Sequence, residues 1–340
     1  MQHSVYDLLT KDTADAAESL AATMQKERTH YRCRGYIHTS SSPLSLNYRS
    51  NASLPHCCEP LITESDRNKM VDWCYGVVDQ CRFDRETVAM TMDLLDRFLS
   101  IQSSISQEAL RSREIFQLVA MAALFVSIKV NEKVAINSDF FAELSQGIYS
   151  SEDIEKMELA ILTGLSWRIY APTSIRTAYD LLSLLVPHAP QVAETTWSYL
   201  VDEVRFQTEH AVRDYSFALR RTSTIALASI FNAVDRVGRD ARRAILRALL
   251  FVLNESFDSP AELLEARNRL RMLVESDEIA TQDGAAEDYD DNTILSNGTM
   301  GEVEGCSLVS VSEDSFDADA RMITGRRSAV NVNCPTVLVL

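Results

Sequence analysis

The sequence predicts an all-α protein: two tandem five-helix bundles, a short helix ahead of them and a disordered acidic tail behind. Three observations carry this. Apolar residues recur at helical spacing in segment after segment from about residue 66 to 275. Turn formers are scarce, with 10 Gly and 8 Pro in 340 residues, which argues against a turn-rich β protein. The charge is uneven: residues 276–340 hold 13 acids and 3 Arg, a net of −10 out of −16, which leaves −6 for residues 1–275.

The elements follow in order. Residues 16–32 place Ala17, Leu20, Ala21, Met24 and Tyr31 at helical spacing, which predicts one amphipathic helix. The Ser/Asn/Pro-rich stretch 38–55 is aperiodic and reads as a linker, so residues 1–60 form the first segment. A bundle over 61–170 is expected from helices at about 66–81, 85–100, 113–129, 138–146 and 151–166. Asp84 can cap the second of these, and Ser150 with Asp153 starts the fifth. The third reads FQLVAMAALFVSIKV, apolar on nearly every side, as a central helix must be. After the break at Ala171-Pro172-Thr173, helices at about 173–186, 190–208, 214–233, 238–253 and 260–275 predict a second bundle over 171–275. The last opens on Ser259-Pro260-Ala261-Glu262, a cap followed by a proline in the first turn. Two runs of five helices at similar spacing suggest a duplicated unit. Residues 276–340 are poor in large apolar side chains and are expected to be disordered.

Composition excludes several functions. No uncharged apolar run approaches the ~20 residues of a membrane span, and the acids near the amino terminus are wrong for a signal peptide. A soluble, intracellular protein is expected, with no membrane partner. Seven scattered cysteines (Cys33, Cys57, Cys58, Cys74, Cys81, Cys306, Cys334) lack metal-ligand spacing and read as reduced thiols, so neither metal nor cofactor is expected. Nothing forms the basic stripe that nucleic-acid binding needs. There is no phosphate loop, no Gly-x-Ser-x-Gly, and six isolated histidines do not assemble a catalytic site. An enzyme is not expected.

Five residues in order carry a family resemblance. Arg67 precedes Met70-Val71-Asp72-Trp73, and Asp96 sits in Leu94-Leu95-Asp96-Arg97-Phe98-Leu99-Ser100. Leu118 lies in Gln117-Leu118-Val119, Lys129 in Ser127-Ile128-Lys129-Val130-Asn131-Glu132, and Glu158 in Lys156-Met157-Glu158-Leu159. Together they resemble the cyclin box, and the likeness covers roughly residues 16–275. The fold it implies is two tandem cyclin-box folds, and the function is a regulatory subunit that binds and activates a cyclin-dependent protein kinase in cell-cycle control. The family's location, nucleus or cytoplasm, follows as an expectation. The subtype stays open: Met157 through Trp167 looks slightly D-type, yet no Leu-x-Cys-x-Glu motif appears.

The resemblance also assigns roles. Arg67 and Asp96 are expected to form the box's internal ion pair, with Leu118 in its core. Lys129 and Glu158, with Val130, Glu132, Trp167 and Ile169 around them, are expected to meet the kinase. Read alone, Lys129 could simply suit a helix C-terminus and Glu158 be an ordinary surface acid. Substrate proteins with Arg-x-Leu motifs are a further partner class, docking on an apolar patch. Here Met70, Trp73, Arg113 and Gln117 survive at patch positions while Asp66 and Lys69 replace apolar ones, so altered docking is expected. The loop Ile101–Ser112 is longer than usual. Ser312-Glu313-Asp314-Ser315 sets serines beside acids, as acidophilic kinases favour. The rival reading is a cyclin-fold scaffold or transcription-related adaptor that activates no kinase.

Overall fold

The computed structural model describes residues 12–29, 31–37, 61–253 and 260–284, together with Leu9 and the pair Val309–Ser310. The chain divides into two compact units. One holds residues 37–167, and the other combines residues 1–36 with 168–288.

The first unit contains α2 (Glu64–Cys81), α3 (Glu86–Leu99), α4 (Ser104–Ala109), α5 (Arg113–Asn131), α6 (Ser138–Leu144) and α7 (Ser151–Gly164). Its core helix is α5, which buries Phe116, Gln117 and Val119 through Ile128 and packs against α2, α3, α4, α6 and α7. By length and composition α5 could cross a membrane. Its burial among five helices accounts for that apolar run. Local signals start the helices. Thr63 and Asp66 form a reciprocal capping box on α2, and Ser150 and Asp153 form another on α7. The Asp84 carboxylate accepts the Glu86 N–H at 2.8 Å ahead of α3. The stretch 101–112, expected as loop alone, contains α4, started by a Ser103–Ser106 box. A serine at the third helical position does the work usually given to Glu or Gln, so the box was not legible. Val134 and Ala135 pair antiparallel with Ser310 and Val309.

The second unit contains α1 (Thr13–Arg28), α8 (Ser174–Leu185), α9 (Glu194–Arg213), α10 (Tyr215–Ala218), α11 (Thr222–Asp235), α12 (Arg239–Leu253) and α13 (Pro260–Gly284). Here α11 is central, with α1, α8, α9, α12 and α13 around it. Its Ala226, Leu227, Ile230, Ala233 and Val234 join Leu181, Leu185, Trp197 and Val201 in one core. The helix expected at 214–233 is broken between Ala218 and Thr222. The break has an identifiable cause in α1, whose buried Glu27 accepts from the Ser223 N–H and hydroxyl, both at 2.7 Å, and from the Thr222 hydroxyl. Arg221 offers α11 no side-chain cap, so a carboxylate from a distant helix supplies it. The last helix runs nine residues past the expected end at 275, to Gly284. Residues 276–283 carry no Gly or Pro to stop it. Apart from Val309 and Ser310, the remaining tail lies outside the described residues, as does the Ser259 cap.

Candidate partner-binding site

Two helices of the first unit build the site. Helix α7 buries Ile154, Met157, Ile161 and Leu162, one stripe at helical spacing, and packs against α5. Every residue of α5 from Val119 to Ile128 is buried, and Lys129 is the first to emerge. The packing sets Lys129 beside Glu158, the residue after Met157. Lys129 Nζ lies 2.5 Å from Glu158 Oε1 and 4.4 Å from the centroid of the Phe125 ring. The side chains are 41 % and 15 % exposed. A lysine carries three donors and an ionised carboxylate about four acceptor sites, so the pair keeps hydrogen-bonding capacity facing outward. The backbone N–H of Glu132 closes α5 on the Ile128 carbonyl at 2.9 Å.

Large apolar side chains are exposed on α7 and just past its end. Leu159 is 58 % exposed and Trp167 64 %. Trp167 lies just beyond α7, whose end has the paired bonds of a Schellman motif: Ser166 N–H to the Thr163 carbonyl at 3.0 Å and Trp167 N–H to the Leu162 carbonyl at 2.8 Å. Both residues have positive φ, 52° and 60°. Neither is Gly, and such conformations carry strain of order 1–3 kcal/mol each. A strained, solvent-facing tryptophan is the kind of anchor that interfaces use. Val130 is half-buried beside Lys129, and Ile169 falls in the second unit.

Glu132 also makes internal bonds. Its Oε1 accepts the Asp84 N–H at 3.0 Å and the Thr87 hydroxyl at 2.5 Å, so this oxygen serves an internal bond between α5 and α3. Sequence reasoning missed Thr87, Asn131 and Leu159. Leu159 had one signal, a leucine off the apolar stripe of α7.

The same unit holds the Arg67–Asp96 pair. Arg67 Nε donates to Asp96 Oδ1 at 3.0 Å and Nη2 to Oδ2 at 2.8 Å, with side chains 2 % and 4 % exposed. This two-point contact ties α2 to α3. Nearby, burial pushes the Asp93 carboxyl up, and its bond to Arg97 holds it partly down. Leu118, expected in the core, is only half-buried: Phe116, Gln117, Val119 and Ala120 fill the inward positions on that turn.

The expected docking patch is not presented either. Met70, Trp73 and Gln117 are all buried. At its edge the buried Asp66 carboxylate holds the half-exposed Arg113 at 3.4 Å and Lys69 at 3.8 Å, and it accepts the Thr63 N–H and hydroxyl. An ion cluster therefore stands where the family's patch is apolar. Among the described residues no group of His, Cys, Asp or Glu could hold a metal, and Cys57 and Cys58 lie outside them.

Comparison with known proteins then places this unit. Residues 37–170 match the cyclin N-terminal domain. Residues 37–170 thus carry a cyclin N-terminal domain. The chain is similar to the G2/mitotic-specific cyclin S13-7 of Glycine max, with 27% identity over 54% of this chain and 66% of that one. It is also similar to a G1/S-specific cyclin-E of Caenorhabditis briggsae, with 30% identity over 58% of this chain and 38% of that one. These matches thus cover less than two thirds of each relative's own length, and they span mitotic and G1/S types without selecting a subtype. A viral cyclin from herpesvirus saimiri superposes with a TM-score of 0.54 at 14% identity, over 75% of this chain and 96% of that one, which establishes the shared fold.

Proposed function

We propose that this protein is a non-catalytic regulatory subunit that binds and activates a cyclin-dependent protein kinase through its first unit. The carrying observation is the Lys129–Glu158 pair, held at the α5–α7 contact, with Leu159 exposed on α7 and Trp167 exposed just beyond its end. Donors and acceptors together can grip the backbone of one partner segment without reading its side chains, while those apolar side chains supply contact area. Pressed on the kinase's C-helix, such a grip would help complete the kinase's own Lys–Glu pair. ATP and magnesium belong to that kinase. Val130, Trp167 and Ile169 are proposed as further contact residues, and the second unit, residues 171–275, as support.

Co-purification from cell extract tests this, comparing wild type with Lys129→Ala/Glu158→Ala and following with a kinase assay. Wild type should recover kinase activity and the variant little, since truncating a buried partner at an interface costs ~2–5 kcal/mol. A wild type that recovers none, while the variant folds equally well, would point instead to a cyclin-fold scaffold. Docking of Arg-x-Leu substrates is proposed to be weak, because Met70 and Trp73 are buried and Asp66 carries cations. Low-micromolar binding of such a peptide in fluorescence anisotropy would overturn that part.

A further inference from the structure

The end of α5 is joined to the start of α3 by a compact polar network. Thr87, fully buried in the first turn of α3, donates its hydroxyl to Glu132 Oε1 at 2.5 Å and accepts from Asn131 Nδ2 at 2.8 Å. The same Glu132 oxygen takes the N–H of Asp84, two residues ahead of α3, at 3.0 Å. Thr87 is in turn fixed by its carbonyl, which accepts the Thr91 hydroxyl at 2.7 Å. Asn131 and Glu132 follow Lys129 by two and three residues, within the turn that aims the lysine side chain.

We infer that Thr87, Asn131 and Glu132 form a positioning clasp that fixes the direction in which α5 presents Lys129 to a partner. The inference rests on the proposed kinase-binding role of Lys129. Without the clasp, the last turn of α5 keeps its own i→i−4 bonds and the Lys129–Glu158 contact but loses its tie to α3, and helix ends less firmly held fray more readily. With it, two helices share one buried hydroxyl, which can donate once and accept, and does both. Glu132 then acts through Lys129 and need not touch the partner.

The test uses the full chain and the kinase that wild type recovers from extract, with affinity measured by biolayer interferometry. Thr87→Val keeps the side-chain shape but deletes the hydroxyl, leaving two polar groups short of a partner. Binding should weaken on the order of tenfold, the upper range for one hydrogen bond lost from a partly buried network. Thr87→Ser restores the hydroxyl and should bind within about twofold of wild type. Glu132→Gln, which keeps an acceptor, should lose far less than Glu132→Ala. Hydrogen exchange of the free chain supplies a second readout: Thr87→Val should deprotect the amides of Asp84 and of residues 129–132, and Thr87→Ser should not.

Three results would overturn the clasp. Thr87→Val could bind like wild type. Thr87→Ser could fail as badly as Thr87→Val, which would make packing the cause. Glu132→Gln could fall as far as Glu132→Ala, which would make Glu132 a charged contact. If Lys129→Ala/Glu158→Ala also leaves binding intact, the kinase-contact reading fails separately. The exchange data then decide the clasp alone, and unchanged protection in Thr87→Val overturns it.

Discussion

Replacing Arg67 by alanine removes two charge-assisted donors from Asp96, whose carboxylate stays in a buried site, the two side chains being only 2 % and 4 % exposed. The loss should fall in the range of a broken buried pair, ~3–5 kcal/mol. That is a large part of the ~5–15 kcal/mol that holds a typical protein together. The paired replacement Arg67→Met/Asp96→Leu behaves differently. It removes both desolvated charges at once, and such swaps range from neutral to ~1–4 kcal/mol more stable. The single and double changes should therefore be non-additive by several kcal/mol. Hydrogen-exchange mass spectrometry under native conditions is the assay, since peptides from α2 and α3 report the opening free energy of the first unit by itself. A loss below ~1 kcal/mol for Arg67→Ala, the range of an exposed pair, would refute the reasoning. So would a double variant no better than the worse single one.

Other consequences are equally direct. Ser166→Gly should stabilise the end of α7 by about 1 kcal/mol, because Gly relieves the left-handed φ of 52°; a lower denaturation midpoint would contradict this. Cys74 is fully buried and burial pushes its thiol well above the ordinary range, so iodoacetamide at pH 8 should modify Cys33 and Cys81 first. Mass spectrometry showing Cys74 labelled at a matching rate would count against that packing. The Ser150 hydroxyl and N–H hold the Asp153 carboxyl below its usual range. A depressed folded-state pKa adds stability above the unfolded value that is lost as pH falls through the folded one. The Ser150 amide signal should thus titrate with a midpoint below ~3.9, and a midpoint at or above it would dismiss the capping box.

How much of this was legible follows from the range of each signal. Helix starts coded within four residues, such as Ser150 with Asp153, could be read directly, as could the all-apolar stretch of α5. The start of α11 could not, because its cap is Glu27, 196 residues from Ser223 in the chain. Resemblance named Arg67 and Asp96 as partners of each other, and named Lys129 and Glu158 but not their contact with one another. Glu132 shows the limit: its position suggested a partner contact, but not that its carboxylate bonds to Thr87 and Asp84. Leu118 and the patch residues Met70, Trp73 and Gln117 make the same point, since burial depends on neighbours that no local window contains.

Arg67–Asp96 and Lys129–Glu158, both in the first unit, have opposite energetic characters, and that contrast makes the proposed function testable. Arg67–Asp96 is buried, so neither partner can be removed without disturbing the fold, and a loss of binding there would say little about contact. Lys129–Glu158 is partly exposed, and pairs of that kind contribute about 0–1 kcal/mol to stability. Deleting it should leave the first unit folded, with its apolar packing between α5 and α7 unchanged. A partner that buries the pair would strip away the solvent that keeps it weak, and the same two groups would then matter several-fold more. A charge pair that is nearly neutral for folding and costly for association has the energetics of a contact surface. The Lys129→Ala/Glu158→Ala variant therefore separates binding from folding where no substitution at Arg67 or Asp96 could.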